Sequence, residues 1–144
     1  MPHKNAKPAS SAIVERDGRY LLVLRRNPPA AEMYAFPGGR GEAGETAAET
    51  ALRELFEETG IKASNPRLFE TYLLPGRRKD GPAAPTYFLS VFRVEADASA
   101  QAVAADDAVE AGWYTADEIA RLPAPESVRE CIRRLEEARV TIAS

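Results

Sequence analysis

The stretch GGRGEAGETAAETALRELFEETGI, residues 38–61, joins a glycine-rich turn to a segment with many acids. At about 100° per residue, the apolar side chains of this segment recur on one side of a helix. That side is predicted to be the buried face: Ala48, Leu52, Leu55 and Phe56. The opposite face is mostly carboxylate: Thr50, Glu54, Glu57 and Glu58.

The acids of this helix are close enough to repel one another. Glu54 meets Glu57 and Glu58 at the i+3 and i+4 spacings, where each like-charge pair costs roughly 0.2–0.5 kcal/mol. An acidic helix face is often only solvated surface. Here, however, glycines at 38, 39, 41 and 44 let the backbone run tightly against whatever the helix binds. A hard divalent cation takes oxygen ligands and would neutralise the cluster, so the pattern favours a metal site.

These residues resemble the signature of the Nudix hydrolases. That signature is a glycine, five residues, a glutamate, seven residues, then Arg-Glu-apolar-any-Glu-Glu-any-Gly-apolar. Every fixed position is filled in this chain: Gly39, Glu45, Arg53, Glu54, Leu55, Glu57, Glu58, Gly60 and Ile61. A match of this length is far more specific than a lone glycine motif. The resemblance implies an α/β fold, an α/β/α sandwich with a mixed curved β-sheet between helices.

The bulk properties are those of a small enzyme. With 144 residues, 44% of them hydrophobic, we expect a flexible N-terminal tail over residues 1–10 and a single domain over residues 11–144. A net charge of −3 disfavours nucleic acid as a partner, because the chain has no broad basic surface. No stretch approaches the roughly 20 apolar residues of a membrane span. One cysteine, Cys131, allows no internal disulfide, which favours a cytoplasmic location.

Outside the signature, alternating and helical patterns predict the remaining elements. Asp17-Gly18 is a hairpin turn between strands at 11–15 and 20–24. Further strands are predicted at 68–74, 86–94 and 109–114, with a break at Asn65-Pro66. Thr115 and Glu118 form a capping box that begins a short helix, and Trp113 beneath it is predicted to anchor the core. A last helix over residues 127–139 places Cys131 in the core.

The resemblance also implies roles for the residues of the signature. The metal ligands would be Glu54, Glu57 and Glu58, with the Gly38 carbonyl as a further oxygen. The cofactor would be Mg²⁺, with Mn²⁺ as an alternative, and the glutamate that takes a proton from water is left open. Arg53 would orient Glu45 and the acids through salt bridges. The single histidine, His3, lies in the tail and leaves no base for a Ser-His-Asp mechanism.

Candidates for substrate contact flank the signature. Arg25 or Arg26 would meet a phosphate, the alternative being surface charge; Tyr34 or Phe36 would lie near the ligand, the alternative being a core role. Gly39 would contribute its backbone. In the loop over residues 75–85, Arg77 and Arg78 would close over an anionic substrate, or form a solvated loop tip. Asp107 and Glu110 are the two candidates for an additional acid at the metal site, the alternative being plain surface acids.

The preferred function is metal-dependent hydrolysis of a nucleoside diphosphate linked to another group, giving a nucleoside monophosphate and a second phosphorylated product. The segments DDAVEAGWY and APESV are similar to small bacterial proteins of the ADP-ribose pyrophosphatase type, so ADP-ribose or a nucleotide sugar is the preferred substrate. The first alternative is a nucleoside triphosphate pyrophosphohydrolase that clears damaged nucleotides. A nucleotide sensor without catalysis is a further alternative, which the complete signature disfavours. Relatives specific for ADP-ribose are often dimers, so a homodimer stays open.

Overall fold

The computed structural model describes residues 6–26, 32–74 and 86–143. Within these ranges the chain forms eight strands and three helices. The strands are β1 Lys7–Ile13, β2 Glu15–Arg16, β3 Arg19–Arg25, β4 Tyr34–Ala35, β5 Gly38–Arg40, β6 Ala63–Leu74, β7 Tyr87–Ala96 and β8 Ala108–Tyr114. The helices are α1 Ala47–Thr59, α2 Ala116–Ala120 and α3 Glu126–Ala143.

The strands form two sheets. The first has the order β5-β1-β7-β6, in which β1 and β7 are parallel and the other pairs are antiparallel. The second contains β2, β3 and β4, with β8 also paired to β3, and all its pairs are antiparallel. The predicted α/β class with a mixed sheet is therefore confirmed, although its strands are divided between two four-stranded sheets.

Two hydrophobic cores lie on opposite faces of the central strands. Successive side chains of a strand point to opposite faces, so Leu21 enters one core while Leu22 enters the other. The first core joins the strands to α2 and α3. The second joins them to α1 through Ala51 and Leu55. Helices thus cover both faces, and this layered arrangement holds α1 against the first sheet.

The N-terminal segment enters the sheet earlier than predicted. Strand β1 begins at Lys7 and pairs with β7 over its whole length, and Ser10 is buried. Residues 7–10 therefore do not belong to a tail, and residues 1–5 lie outside the described ranges. The partner of β1 is about 80 positions away in the sequence, so no local pattern reveals this pairing. The predicted hairpin at Asp17-Gly18 is present, with φ values of 50° and 78°.

Helix α1 packs its predicted apolar face against the second core through Ala48, Leu52 and Leu55, but Phe56 is an exception. Its buried side chains are Thr50, Ala51, Leu55, Glu58 and Thr59. Phe56 is 47% exposed, so its predicted core position is wrong, and Thr50 and Glu58 from the predicted polar face are buried instead. The reason is that the acid face is turned toward the glycine turn and β1, where it finds polar partners. The ends of the helix are well defined by a capping box and by Gly60 in the left-handed conformation.

The remaining elements follow the sequence patterns with one further exception. The capping box of α2 is present, and Cys131 is fully buried, as predicted. Trp113 packs against the second core, where Arg16 lies 4.1 Å from the centre of its ring. Asn65-Pro66 does not interrupt the chain: β6 continues through it, and a register shift absorbs the positive φ of Asn65. No helix of the described ranges is long and apolar enough to cross a membrane.

The face that α1 buries can be tested with two neighbouring substitutions. Leu55→Ala should lower the free energy of unfolding by about 2–5 kcal/mol, because it leaves a cavity in the second core. Phe56→Ala, as the matched control, should change it by less than about 1 kcal/mol. Urea unfolding followed by circular dichroism gives both values. A larger loss for Phe56→Ala than for Leu55→Ala would contradict the observed orientation of the helix.

Candidate active site

The acid face of α1 lies directly against the glycine turn. Gly38 and Gly39 belong to β5 and pair with Ser11 and Ser10 of β1. A Cβ atom at Gly38 would collide with the carbonyl oxygen of Ser10, and a Cβ atom at Gly39 would collide with the carboxylate of Glu54. Gly38 therefore requires glycine because of close backbone approach, and a side chain at position 39 would displace the Glu54 carboxylate. The turn backbone is thereby brought into contact with the carboxylates of the helix.

Arg53 connects the acids to one another and to the turn. Its Nε and Nη2 atoms donate to Glu45 at 2.6 and 3.1 Å. Its Nη1 atom donates to Glu54 at 2.8 Å and to Glu57 at 3.0 Å. Its Nη2 atom also donates to the carbonyl of Arg40 at 2.9 Å. One guanidinium thus offsets the mutual repulsion of three carboxylates and fixes the helix relative to the turn.

Glu45 is held in its ionised form by this network. The hydrogen bond from Arg53 is the main cause, followed by one from the Thr50 hydroxyl and one from the backbone amide of Glu42. Together they lower the pKa of the Glu45 carboxyl to about 2. The negative charge of Glu45 is therefore constant at neutral pH, as a positioning group requires.

Glu58 has the opposite environment. It is 2% exposed, accepts a hydrogen bond from the Gly38 amide at 3.2 Å, and lies 4.0 Å from Nη1 of Arg25. Burial raises the pKa of the Glu58 carboxyl well above its ordinary value even though the Arg25 charge opposes the change. A hydrogen bond with Glu54 raises that pKa further. Burial and the neighbouring Glu54 carboxyl therefore favour the protonated form of Glu58.

The chemistry of this pair suits a hard divalent cation. A hydrogen bond between two carboxyls needs a proton, and a cation can replace that proton while binding the same oxygens. The donors are all oxygen atoms, which Mg²⁺ and Mn²⁺ prefer. Within the described ranges, no three acidic, cysteine or histidine side chains are already gathered as a metal site. The side chain of Glu57 is 42% exposed and forms an ion pair with Arg53. It could join Glu54 and Glu58 only by releasing Arg53.

A cavity opens beside the glycine turn. Its volume is about 180 Å³. For comparison, an engineered apolar cavity of about 150 Å³ binds benzene. There is thus room for one flat ring next to the turn. Most of the lining is apolar, and it includes Arg25, Phe36, Gly38, Gly39, Tyr87 and Val128.

The structure separates the predicted substrate contacts into three groups. Those that line the cavity are Arg25, Phe36 and Gly39. Tyr34 does not line it; its ring packs edge-on against Tyr114 at 5.6 Å and contributes to the first core. Arg26 is exposed at the end of β3 and also lies off the cavity. Arg77 and Arg78 lie outside the described residues.

The two candidates for an additional acid have different positions. Asp107 forms an ion pair with Arg25, with 3.0 Å between Oδ2 and Nη2, and so lies near the acid cluster. Glu110 is exposed on β8, opposite Leu24 of β3. The structure therefore brings Asp107, and not Glu110, toward the site. Asp107 reaches it through Arg25.

Three contributors to the site were not identified from the sequence, namely Thr50, Tyr87 and Arg40. The Thr50 hydroxyl donates to Glu45 at 2.6 Å, and its place one turn before Glu54 was a usable signal. Tyr87 lines the cavity, and the guanidinium of Arg40 lies 5.6 Å from the centre of its ring. Nothing local in the sequence indicates this contact, because it depends on the distant pairing of β1 with both β5 and β7.

The low pKa of Glu45 predicts how one variant responds to pH. The unfolded chain binds a proton near pH 4.5 and the folded chain only near pH 2, so the ionised carboxyl stabilises the fold fully above pH 4.5. The parent should therefore be more stable than Glu45→Gln at pH 7, and its advantage should shrink as the pH falls from 4.5 toward 2.

Urea unfolding in the presence of a chelator, at several pH values from 7 to 3, measures this difference. Glu126→Gln is the control, because the Glu126 side chain is 77% exposed and 4.0 Å from its partner Arg133. A Glu45→Gln difference that stayed constant over this pH range would contradict the role of the Arg53 contact.

Comparison with known proteins places this arrangement in a family. The protein-family model that describes the NUDIX domain matches residues 5–135. An ADP-ribose pyrophosphatase from Methanocaldococcus jannaschii is 32% identical over 114 residues, which cover 79% of this chain and 64% of that protein. The NAD-capped RNA hydrolase NudC from Chromobacterium violaceum is 32% identical over 121 residues, which cover 84% of this chain and 42% of that protein. This chain therefore spans less than two thirds of the length of either relative.

The fold comparison agrees. A NUDIX hydrolase from Nitrosomonas europaea has a TM-score of 0.75 and 26% sequence identity, with 92% of this chain and 90% of that chain covered. The family match extends over most of the chain and includes the glycine turn, α1 and both sheets. The chain belongs to the Nudix hydrolase family.

Proposed function

We propose that this protein is a divalent-metal-dependent hydrolase of a nucleoside diphosphate linked to another group, with ADP-ribose or a nucleotide sugar as the preferred substrate. The observation that carries the proposal is the arrangement of the site. A carboxylate pair lies under the glycine turn, and an apolar cavity for one ring opens on the same turn. A diphosphate at the carboxylates would therefore place an attached ring in the cavity.

The relatives support this class of substrate. One is named an ADP-ribose pyrophosphatase and another an NAD-capped RNA hydrolase. ADP-ribose and NAD share an ADP group whose diphosphate is linked to a second ribose. A substrate of this kind combines one flat ring system with one diphosphate, and this combination suits the size of the cavity and its position beside the acids.

The cofactor follows from the family and from the donor atoms. Nudix hydrolases generally use divalent metal ions. In this chain we assign the ligands to Glu54, Glu57 and Glu58 with the Gly38 carbonyl, and we take Mg²⁺ as the natural ion, with Mn²⁺ accepted by the same oxygens. When bound, such an ion neutralises charge on the diphosphate and lowers the pKa of the attacking water.

The side chains of this protein would supply positioning and proton transfer. Arg53 and Glu45 hold the helix against the turn, so the carboxylates keep their places as the substrate binds. One glutamate of the cluster takes the proton of the attacking water. The bond from the water oxygen to phosphorus forms and the bond from phosphorus to the bridging oxygen breaks, in line. The products are a nucleoside monophosphate and a second phosphorylated fragment.

Substitution of the cluster acids should abolish turnover while the fold is retained. Glu57→Gln and Glu58→Gln should each lower kcat by roughly 10²–10⁴-fold, because each removes a charge needed for metal binding or proton transfer. Glu49→Gln is the matched control: Glu49 lies on the same helix, its capping contact tolerates glutamine, and kcat should change by less than about twofold. Steady-state kinetics with Mg²⁺ measures all three. Equal activity in the three variants would refute the assigned site.

The preferred substrate can be identified with a panel of diphosphates. The purified protein is incubated with Mg²⁺ or Mn²⁺ and with ADP-ribose, nucleotide sugars, canonical and oxidised nucleoside triphosphates, or dinucleoside polyphosphates. We expect ADP-ribose or a nucleotide sugar to give the highest kcat/KM, with nucleoside monophosphate as a chromatographic product. Glu57→Gln is run beside the parent to exclude a contaminating hydrolase.

Two results of this panel would count against the proposal. Faster release of pyrophosphate from a nucleoside triphosphate would replace the substrate assignment and leave the metal site intact. Cleavage that is independent of metal, or equal in Glu57→Gln, would refute the site as well.

A further inference from the structure

Arg25 places a guanidinium inside the acid site. Only 15% of its side chain is exposed. Its Nη1 atom donates to the Gly38 carbonyl at 3.2 Å and lies 4.0 Å from Oε2 of Glu58. Its Nη2 atom lies 3.0 Å from Oδ2 of Asp107. A single cation from the end of β3 therefore bridges the glycine turn, α1 and the loop before β8.

This arrangement leaves one hydrogen-bond donor of Arg25 unsatisfied. Its Nε atom is buried and has no hydrogen-bond partner in the part of the chain that the structure describes. A buried donor without a partner costs free energy, and such a group in a folded protein calls for an explanation. The guanidinium is therefore not fully satisfied in this position.

The oxygens that Arg25 approaches are those that the proposed function assigns to the metal. The Gly38 carbonyl accepts from Nη1, and Glu58 balances the same charge. A divalent cation on these oxygens would lie a few Å from the guanidinium. Two positive charges at that distance in a site screened from water repel strongly. The guanidinium in its present position and the metal therefore destabilise each other.

Asp107 offers the guanidinium a second anchor that the metal does not use. The loop that carries it is fixed to both neighbouring elements. The amide of Ala105 donates to the carbonyl of Glu58 at 2.9 Å, and the amide of Arg26 donates to the carbonyl of Asp107 at 2.9 Å. Because Asp107 is held in place independently, Arg25 can release the Gly38 carbonyl and keep its ion pair with Asp107.

We propose that Arg25 is an internal counter-cation that occupies the Gly38 carbonyl and Glu58 in the metal-free protein and withdraws toward Asp107 when a divalent cation binds. This inference rests on the proposed function, since it takes those oxygens as metal ligands. Arg25 is then a positioning residue that acts on metal affinity, and Asp107 acts on the metal through Arg25. The two side chains have opposite effects on the metal.

The test measures Mn²⁺ affinity without nucleotide, by titration calorimetry and electron paramagnetic resonance, on the full chain. Arg25→Gln should bind Mn²⁺ roughly tenfold more tightly than the parent, because the competing charge is gone. Asp107→Asn should bind it more weakly by a similar factor, because Arg25 loses its alternative anchor. In the double variant, the substitution at Asp107 should have no further effect. A merely structural role for Arg25 would not tighten metal binding.

Neighbouring substitutions control for simple changes of charge. Arg26→Gln and Asp106→Asn alter the net charge by the same amounts at adjacent exposed positions. Each should shift Mn²⁺ affinity much less than the substitution beside it. Equal shifts within either pair would overturn the inference, because long-range charge alone would then explain them.

The remaining outcomes distinguish this inference from the proposed function. If Arg25→Gln binds Mn²⁺ no more tightly than the parent, while Glu58→Gln abolishes binding, only the inference on Arg25 fails. If Asp107→Asn weakens binding equally in the Arg25→Gln background, Asp107 acts on the metal directly and the inference also fails. If Glu58→Gln binds Mn²⁺ like the parent, the metal site is elsewhere and both fail. If Arg25→Gln does not fold, the Mn²⁺ affinities of Asp107→Asn and Asp106→Asn are compared instead. Equal shifts in these two variants would overturn the inference.

Discussion

Removing the Glu58 carboxyl from water costs free energy, and the structure offsets this cost with partners from three separate elements. The amide of Gly38 comes from β5, the guanidinium of Arg25 from the end of β3, and the carboxyl of Glu54 from the preceding turn of α1. None of these partners is local in sequence except Glu54. The position of Glu58 therefore depends on correct pairing of β5 with β1 and on the docking of α1 against both strands.

Two guanidiniums divide the acids of the site between them. Arg53 lies on the more exposed side of the site, where it forms ion pairs with Glu45, Glu54 and Glu57. Arg25 lies on the more buried side of the site, between Glu58 and Asp107. The pKa of Glu45, just before α1, is lowered, whereas the pKa of Glu58 in α1 is raised although the Arg25 charge opposes this. Contact with Arg53 keeps the first ionised, whereas burial favours protonation of the second.

The sequence predicted those parts of the molecule that depend on local interactions. The hairpin at Asp17-Gly18, the capping box of α2, the core position of Cys131 and the contiguous signature all follow from residues near one another in the chain. The errors arose where a distant partner decides. Phe56 is exposed because α1 is rotated to bring its acids to the turn, and residues 7–10 are ordered by β7. Likewise, β6 passes through Asn65-Pro66 because β7 continues the ladder.

The two cores on opposite faces of the central strands separate the packing of the cavity from the packing of α1. The cavity residues Phe36, Val91 and Val128 belong to the first core with α3, whereas α1 is anchored in the second. A substitution at Phe36, Val91 or Val128 therefore acts first on the packing of α3, whereas α1 is held by separate contacts in the second core. A directed-evolution library that aims to reshape the cavity can therefore be confined to one layer of the molecule.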